Sequence, residues 1–168
     1  MKTIALVRAV NVGGTGKLPM AELKAMAEEL GFEDARTYIA SGNLLFETGL
    51  REPTVKSKLE KRLKDYAGKP VGVLVRTAAE MAEIVADNPF ADEPGNRVVA
   101  IFLAEAPPKS ALTEHKGLKD ERIALGRREI YVHYPSGQGD SRLVIPAAKA
   151  GTARNMNTVA KLAAMAAD

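Results

Sequence analysis

A glycine-rich stretch near the start of the chain is the segment most suggestive of chemistry. Residues 13–17, Gly-Gly-Thr-Gly-Lys, lie between a short apolar run and a pattern typical of a helix. Glycine N–H groups beside a helix N-terminus can hold a phosphate or another anion. The P-loop of nucleoside triphosphatases also needs a glycine at the position of Asn11 and a hydroxyl at that of Leu18. Both are missing, so we expect either a flexible connection or a simpler anion site that includes Arg8 and Lys17.

Two other polar segments lie at the ends of predicted elements. Ser41-Gly42-Asn43 has the composition of a tight hairpin turn, because Gly and Asn tolerate left-handed backbone conformations. Residues 152–158, Thr-Ala-Arg-Asn-Met-Asn-Thr, precede a helical pattern. Helix capping accounts for one or two of these polar residues. Arg154 is a forked donor that suits a carboxylate or a phosphate.

These segments predict one binding site for a small anionic ligand, a nucleotide among the candidates, in a cleft between two structural units. Loops and element ends on a rigid frame are where binding residues concentrate. Charge would come from Arg8, Lys17 and Arg154, and neutral hydrogen bonds from Asn11, Ser41, Asn43, Asn155 and Asn157. If this hypothesis is right, Arg8, Asn43 and Arg154 surround one pocket.

The composition excludes several kinds of catalytic or metal site. The chain has no Cys, which rules out disulfides, thiolate-bound metals and a Cys nucleophile. It has two His residues, and its acidic pairs, such as Glu33-Asp34, fit a solvated surface better than a metal site. We therefore expect no metal and no cofactor. No nucleophile–base pair is visible, so the sequence assigns no catalytic residue and leaves open whether the protein is an enzyme.

The positive charge of the chain is confined to one segment. The formal net charge is +3, and the whole excess lies in residues 141–168, where four basic residues stand against Asp168. A basic chain of this kind can bind nucleic acid, which is the first alternative function. Aromatic residues make up only 5% of the chain, few for stacking on bases. A homodimeric interaction module without catalysis is the second alternative.

Apolar runs and breaker residues predict an α+β protein of two ferredoxin-like, split β-α-β units packed side by side. In residues 1–90 we expect strands at 3–7, 35–40, 44–47 and 71–75, with a helix after the first and the third strand. In residues 91–168 we expect a strand at 98–103, a helix at 107–115, a hairpin of 122–125 with 129–134, and a last helix from Asn157 or Thr158. One larger domain with a continuous sheet is the alternative.

The sequence has neither a signal-peptide pattern nor a run of about 18 apolar residues that could span a membrane. We therefore expect a cytoplasmic protein that does not bind membranes. Its oligomeric state stays open.

Several segments together resemble the bacterial family called domain of unknown function 1697. The most specific are Arg-Ala-Val-Asn-Val-Gly-Gly from Arg8 and Thr-Ala-Arg-Asn from Thr152. Further matching segments lie at 18–23, 30–32, 36–43, 75–77 and 88–90. The resemblance implies two ferredoxin-like α+β halves and no established activity. This chain departs from the family pattern at Ala9, Ala40 and Met156, where the family commonly has Gly, Gln and Trp. If the family binds a ring-bearing ligand there, we expect this chain to bind it differently or not at all.

Overall fold

The computed structural model describes residues 1–8 and 18–167. The chain divides into two compact units. The first is Met1–Met81 together with Leu162–Asp168, and the second is Ala82–Lys161. The predicted division into units 1–90 and 91–168 stays a prediction, as does their packing side by side. Two predicted site residues, Asn11 and Lys17, lie outside the described residues.

The first unit has the β-α-β-β-α-β order that the sequence predicts. Its sheet has the order β2-β3-β1-β4, and all neighbouring strands are antiparallel. The elements are β1 (Lys2–Val7), α1 (Met20–Glu29), β2 (Glu33–Tyr38), β3 (Asn43–Glu47), α2 (Glu52–Ala67) and β4 (Val73–Thr77). This is the strand order of a split β-α-β unit, with β1 and β3 at the centre.

Alternating side chains of β1 define the two faces of this sheet. Ala5 and Val7 belong to an apolar core that includes Leu23 of α1 and Leu59 of α2. Burial of the helices' apolar stripes against this face stabilises the unit. Ile4 and Leu6, which alternate with them along β1, point to the opposite face and are also buried. Both faces of the central strand are therefore covered.

The second unit repeats this strand order. Its sheet has the order β6-β7-β5-β8, again with antiparallel pairs throughout. The elements that complete the chain are α3 (Ala78–Ala86), β5 (Val98–Phe102), β6 (Arg122–Leu125), β7 (Glu129–His133), β8 (Thr152–Asn155) and α4 (Met156–Ala167). The α+β class with two similar units is therefore confirmed. The alternative of one continuous sheet is wrong, because the described strands form two separate sheets of four.

Two predictions for the second unit need correction. The helix expected at 107–115 is only a 3₁₀ turn, Lys109–Leu112, and Ala111 is its one buried residue. Without an apolar stripe to bury, this segment gains little from a longer helix. Residues 152–155 directly precede a helix, as expected, but they are not a loop. They form the strand β8, because β5 supplies a partner for their backbone groups.

No helix in the described residues is long and apolar enough to cross a membrane.

Candidate functional site

Arg8 is held at one end of the first sheet by backbone hydrogen bonds to two loops. The N–H of Val7 donates to the carbonyl of Gly42 at 2.9 Å, and the N–H of Arg8 donates to that of Gly72, also at 2.9 Å. The end of β1 therefore lies between the turn that precedes β3 and the residues that precede β4. Arg8 itself is half-buried. We call this region, Arg8 with Ser41–Asn43 and Gly72, the Arg8 end of the sheet.

Gly72 makes room for the side chain of Arg8. A Cβ at Gly72 would lie 3.1 Å from Cδ of Arg8 and 3.8 Å from its Nη1. The φ angle of Gly72 is not in the left-handed region, so the backbone conformation alone does not require glycine. The absence of a side chain instead allows the arginine to approach the backbone closely.

Asn43 supports the β2–β3 turn from inside. Its side chain is 0% exposed, and its Nδ2 donates to the carbonyl of Tyr38 at 2.9 Å and to Oγ of Ser41 at 2.8 Å. Ser41 is half-buried, whereas Asn43 is fully buried and not accessible to a ligand. The predicted turn is therefore present, with Asn43 as the residue that fixes it and Ser41 half-buried beside it.

This turn also contains an unusual backbone conformation. Gly42 has φ +84°, which glycine adopts without strain. Ile39 has φ +51°, although a β-branched side chain makes that conformation costly. The side chain of Ile39 is 50% exposed, so burial contributes little to offset the strain. Strained residues of this kind often lie at binding sites.

Arg154 lies in β8 and is only 7% exposed. Its Nη1 donates to Oγ1 of Thr152 at 2.8 Å and to the carbonyl of Ala153 at 2.9 Å. Burial lowers the pKa of Arg154 to about 10, because desolvation disfavours the charged guanidinium. The group is still charged near neutral pH, and its hydrogen bonds offset part of the desolvation cost.

The two asparagines that follow differ in role. Oδ1 of Asn155 accepts a hydrogen bond from the N–H of Thr158 at 2.9 Å, which is the geometry of an N-cap for α4. Asn157 is exposed, and its side chain adjoins Gly95, where any Cβ would collide with its Oδ1. Helix capping therefore accounts for Asn155 and does not account for Asn157.

Sequence reasoning did not single out Arg76, although it is 1% exposed. Its Nη1 donates to the carbonyl of Val75 at 2.9 Å. The next residue, Thr77, forms a capping box with Glu80 at the start of α3. The N–H of Glu80 donates to Oγ1 of Thr77 at 3.1 Å, and Oε1 of Glu80 accepts from the N–H of Thr77 at 2.9 Å. The sequence feature that could have identified Arg76 is a charged residue within an apolar strand, Val73–Thr77.

The predicted site residues thus fall into two groups. Arg8, Ser41 and Asn43 share one end of the first sheet, whereas Arg154, Asn155 and Asn157 lie where β8 joins α4 in the second unit. That Arg8, Asn43 and Arg154 surround a single pocket stays a prediction.

A second polar cluster lies at one end of the second sheet. Nε2 of His133 lies 3.3 Å from Oε2 of Glu93, and Nδ1 of His133 lies 3.1 Å from Nη2 of Arg122. Arg122 also lies over the ring of Phe90, 4.9 Å from its centroid. The imidazole of His133 therefore lies between an arginine and a carboxylate. Among the described residues no group of three His, Asp or Glu could hold a metal ion.

Comparisons with known proteins agree with this fold. The family model described as a protein of unknown function, DUF1697, matches residues 1–131. The chain belongs to this family. A solved structure of a conserved bacterial protein from Streptococcus pneumoniae superimposes with a TM-score of 0.82 at 24% sequence identity, covering 98% of each chain. At that identity the likeness concerns the fold alone. A search of curated proteins gave no match.

Proposed function

We propose that this protein binds a small anionic ligand at the Arg8 end of its first sheet, a nucleotide being one candidate. Arg8 supplies the charge, and the hydroxyl of Ser41 supplies a neutral hydrogen bond. The observation that carries the proposal is the fixed position of Arg8, whose backbone N–H is bonded to Gly72 beside the turn of Ser41. A cationic side chain at the end of a hydrogen-bonded strand loses less conformational freedom on binding than one in a mobile loop. Binding therefore has a lower entropic cost.

The close approach of Arg8 to Gly72 supports this role. A Cβ at residue 72 would lie 3.1 Å from Cδ of Arg8, so the arginine would have to shift by a few tenths of an ångström, and glycine allows its present close position. A guanidinium presents its N–H donors in a planar fork that matches carboxylate and phosphate oxygens. The strained Ile39 lies in the same turn as Ser41, which fits a turn shaped for binding.

The other predicted residues contribute in different ways. Asn43 is a positioning residue, because its amide is buried against Tyr38 and Ser41. Arg154 and Asn155 contact Thr152 and Thr158 in their own unit, so the proposal does not depend on them. Asn11 and Lys17 belong to the proposal on sequence grounds alone, since both lie within nine residues after Arg8 along the chain.

Isothermal titration with inorganic phosphate, AMP and ATP tests the proposal. We expect at least one of them to bind, and Arg8→Gln to weaken that binding about tenfold or more, as loss of a hydrogen bond from a charged group predicts. Arg51→Gln is the matched control, because Arg51 is an exposed arginine of the same unit that precedes α2. It should leave the affinity within about twofold.

Two results would overturn the proposal. One is that none of the three anions binds. The other is that Arg8→Gln and Arg51→Gln change the affinity for the anion equally, since Arg8 would then contribute no more to binding than an exposed arginine elsewhere in the unit. Titration with a short single-stranded oligonucleotide at several salt concentrations tests the nucleic-acid alternative. That alternative requires a fall of log K with log salt of about 0.7 per phosphate neutralised.

A further inference from the structure

A cavity of about 680 Å³ lies at the other end of the first sheet from Arg8. It is lined by the first residues of β1, the last residues of β3, the bulged part of β2 and Ala166 of α4. Its volume is in the range of about 300–1,000 Å³ that is usual for small-molecule sites. The four charged side chains that line it are Lys2, Asp34, Arg36 and Glu47. We call this space the Asp34 cavity.

The wall of the cavity contains a β-bulge. The register between β2 and β3 passes from Glu33 opposite Glu47 to Arg36 opposite Leu45, so β2 has one residue more than β3 at this point. Asp34 lies inside the bulge with φ +50°, a conformation that only a few per cent of non-glycine residues adopt. Bulges of this kind redirect side chains and occur often beside binding sites.

The charges around the cavity are of both signs and do not neutralise one another. Within the described part of the chain, the side chains of Lys2, Asp34 and Glu47 form neither an ion pair nor a hydrogen bond. Lys2 and Glu47 are direct neighbours across the β1–β3 ladder and still form no ion pair. Two cations and two anions therefore face one space with their charges available.

Arg36 is oriented by the end of α4. Its Nη2 donates to the carbonyl of Met165 at 2.9 Å. This bond uses one of the five N–H donors of the guanidinium and fixes the position of the others. Leu45 and Ala166 supply apolar surface in the same cavity.

We propose that the Asp34 cavity binds a small zwitterion, an α-amino acid or a dipeptide. The ligand carboxylate lies on Arg36 and Lys2, and its ammonium group lies on Asp34 and Glu47. Each charge of the ligand then meets two of opposite sign, whereas a simple anion or cation would be repelled by half of the lining. This site is distinct from the Arg8 end of the sheet, so either proposal can fail without the other.

Two-dimensional ¹H–¹⁵N NMR of the full chain tests the proposal. The probes are the twenty amino acids and glycylglycine, added one at a time at millimolar concentration. We expect at least one zwitterion to shift the amide resonances of Asp34, Arg36 and Glu47. The N-acetyl derivative of that ligand lacks the positive charge, and the amide derivative lacks the negative charge. Each should bind at least about tenfold more weakly than the ligand itself. The proposal fails if no probe shifts these resonances, or if the blocked derivatives bind equally well.

Variants separate binding from folding. Asp34→Asn removes the charge but tolerates φ +50°, because Asn is enriched in left-handed conformations. It should keep the melting temperature and lose the binding, as should Arg36→Gln. Arg8→Gln should leave the zwitterion affinity unchanged. Equal affinities of the Asp34→Asn and Arg36→Gln variants and the unmodified protein would overturn the proposal.

Discussion

Arg76 and Arg154 occupy matching positions in the two units. Each lies in the edge strand that leads directly into a helix, and each is paired with the strand at the centre of its sheet, Arg76 with Ile4 and Arg154 with Ala100. In both, Nη1 donates to the carbonyl of the preceding residue at 2.9 Å. The two units therefore share a buried arginine at one place in the fold.

The match extends to neighbouring positions. The residue after each arginine caps the following helix, Thr77 for α3 and Asn155 for α4. Two residues beyond Ile4 in β1, Leu6 pairs with the buried Asn43. In the second unit, Phe102 lies two residues beyond Ala100 and pairs with Glu129, which is also buried and is also the first residue of its strand. A repeat of so few positions does not stand out in the sequence, where the residue types differ.

The matching arginines predict matching costs of substitution. Arg76→Lys and Arg154→Lys should each lower the free energy of unfolding by about 2 kcal/mol, because lysine cannot reproduce the planar set of donors. Arg122→Lys, at a more exposed arginine, is the control and should cost less than about 1 kcal/mol. Urea denaturation followed by circular dichroism measures all three. Equal losses in the buried and exposed variants would contradict the prediction.

The strained turn predicts a stabilising substitution. Ile39→Asn should raise the free energy of unfolding by about 1 kcal/mol, because Asn tolerates a left-handed conformation that costs isoleucine about 1–2 kcal/mol. The half-exposed side chain of Ile39 loses little buried surface in exchange. Ala40→Asn is the control, since the φ of Ala40 is not left-handed and no gain is expected there. A lower melting temperature for Ile39→Asn would refute this account.

The first unit was predictable because its elements carry local signals. Three of its strands, β1, β3 and β4, are short and largely apolar, and α2 ends at Gly68, which has φ +74°. The second unit lacks such signals at two places. The Pro107-Pro108 pair resembles a helix start, yet no apolar stripe follows it. The strand β8 contains Arg154 and Asn155, and its pairing with β5 decides its conformation against the polar composition.

The candidate sites were predictable only in part, because residue type does not reveal burial. Ser41-Gly42-Asn43 forms the expected turn, but Asn43 is wholly buried and Ser41 is half-buried. The Asp34 cavity was not foreseen, since Glu33-Asp34 has the composition of a solvated surface. The bulge and the positive φ of Asp34 depend on the register between β2 and β3, which the sequence does not specify.

Hydrogen bonds to Glu121 predict a pH dependence of stability. Its carboxylate accepts from the hydroxyl of Ser141 and from the N–H of Lys119, and these bonds hold its pKa below the ordinary value of 4.5. Since the pKa is lower in the folded state, this contribution to stability is present above pH 4.5 and is lost as the pH falls through the folded pKa. Ser141→Ala should raise the pKa of Glu121 towards 4.5, measured by ¹³C NMR titration of its carboxyl carbon. Glu29, whose pKa is lowered by Arg62, is the internal control and should titrate unchanged. An unchanged titration of Glu121 in the variant would show that the hydroxyl does not stabilise the carboxylate.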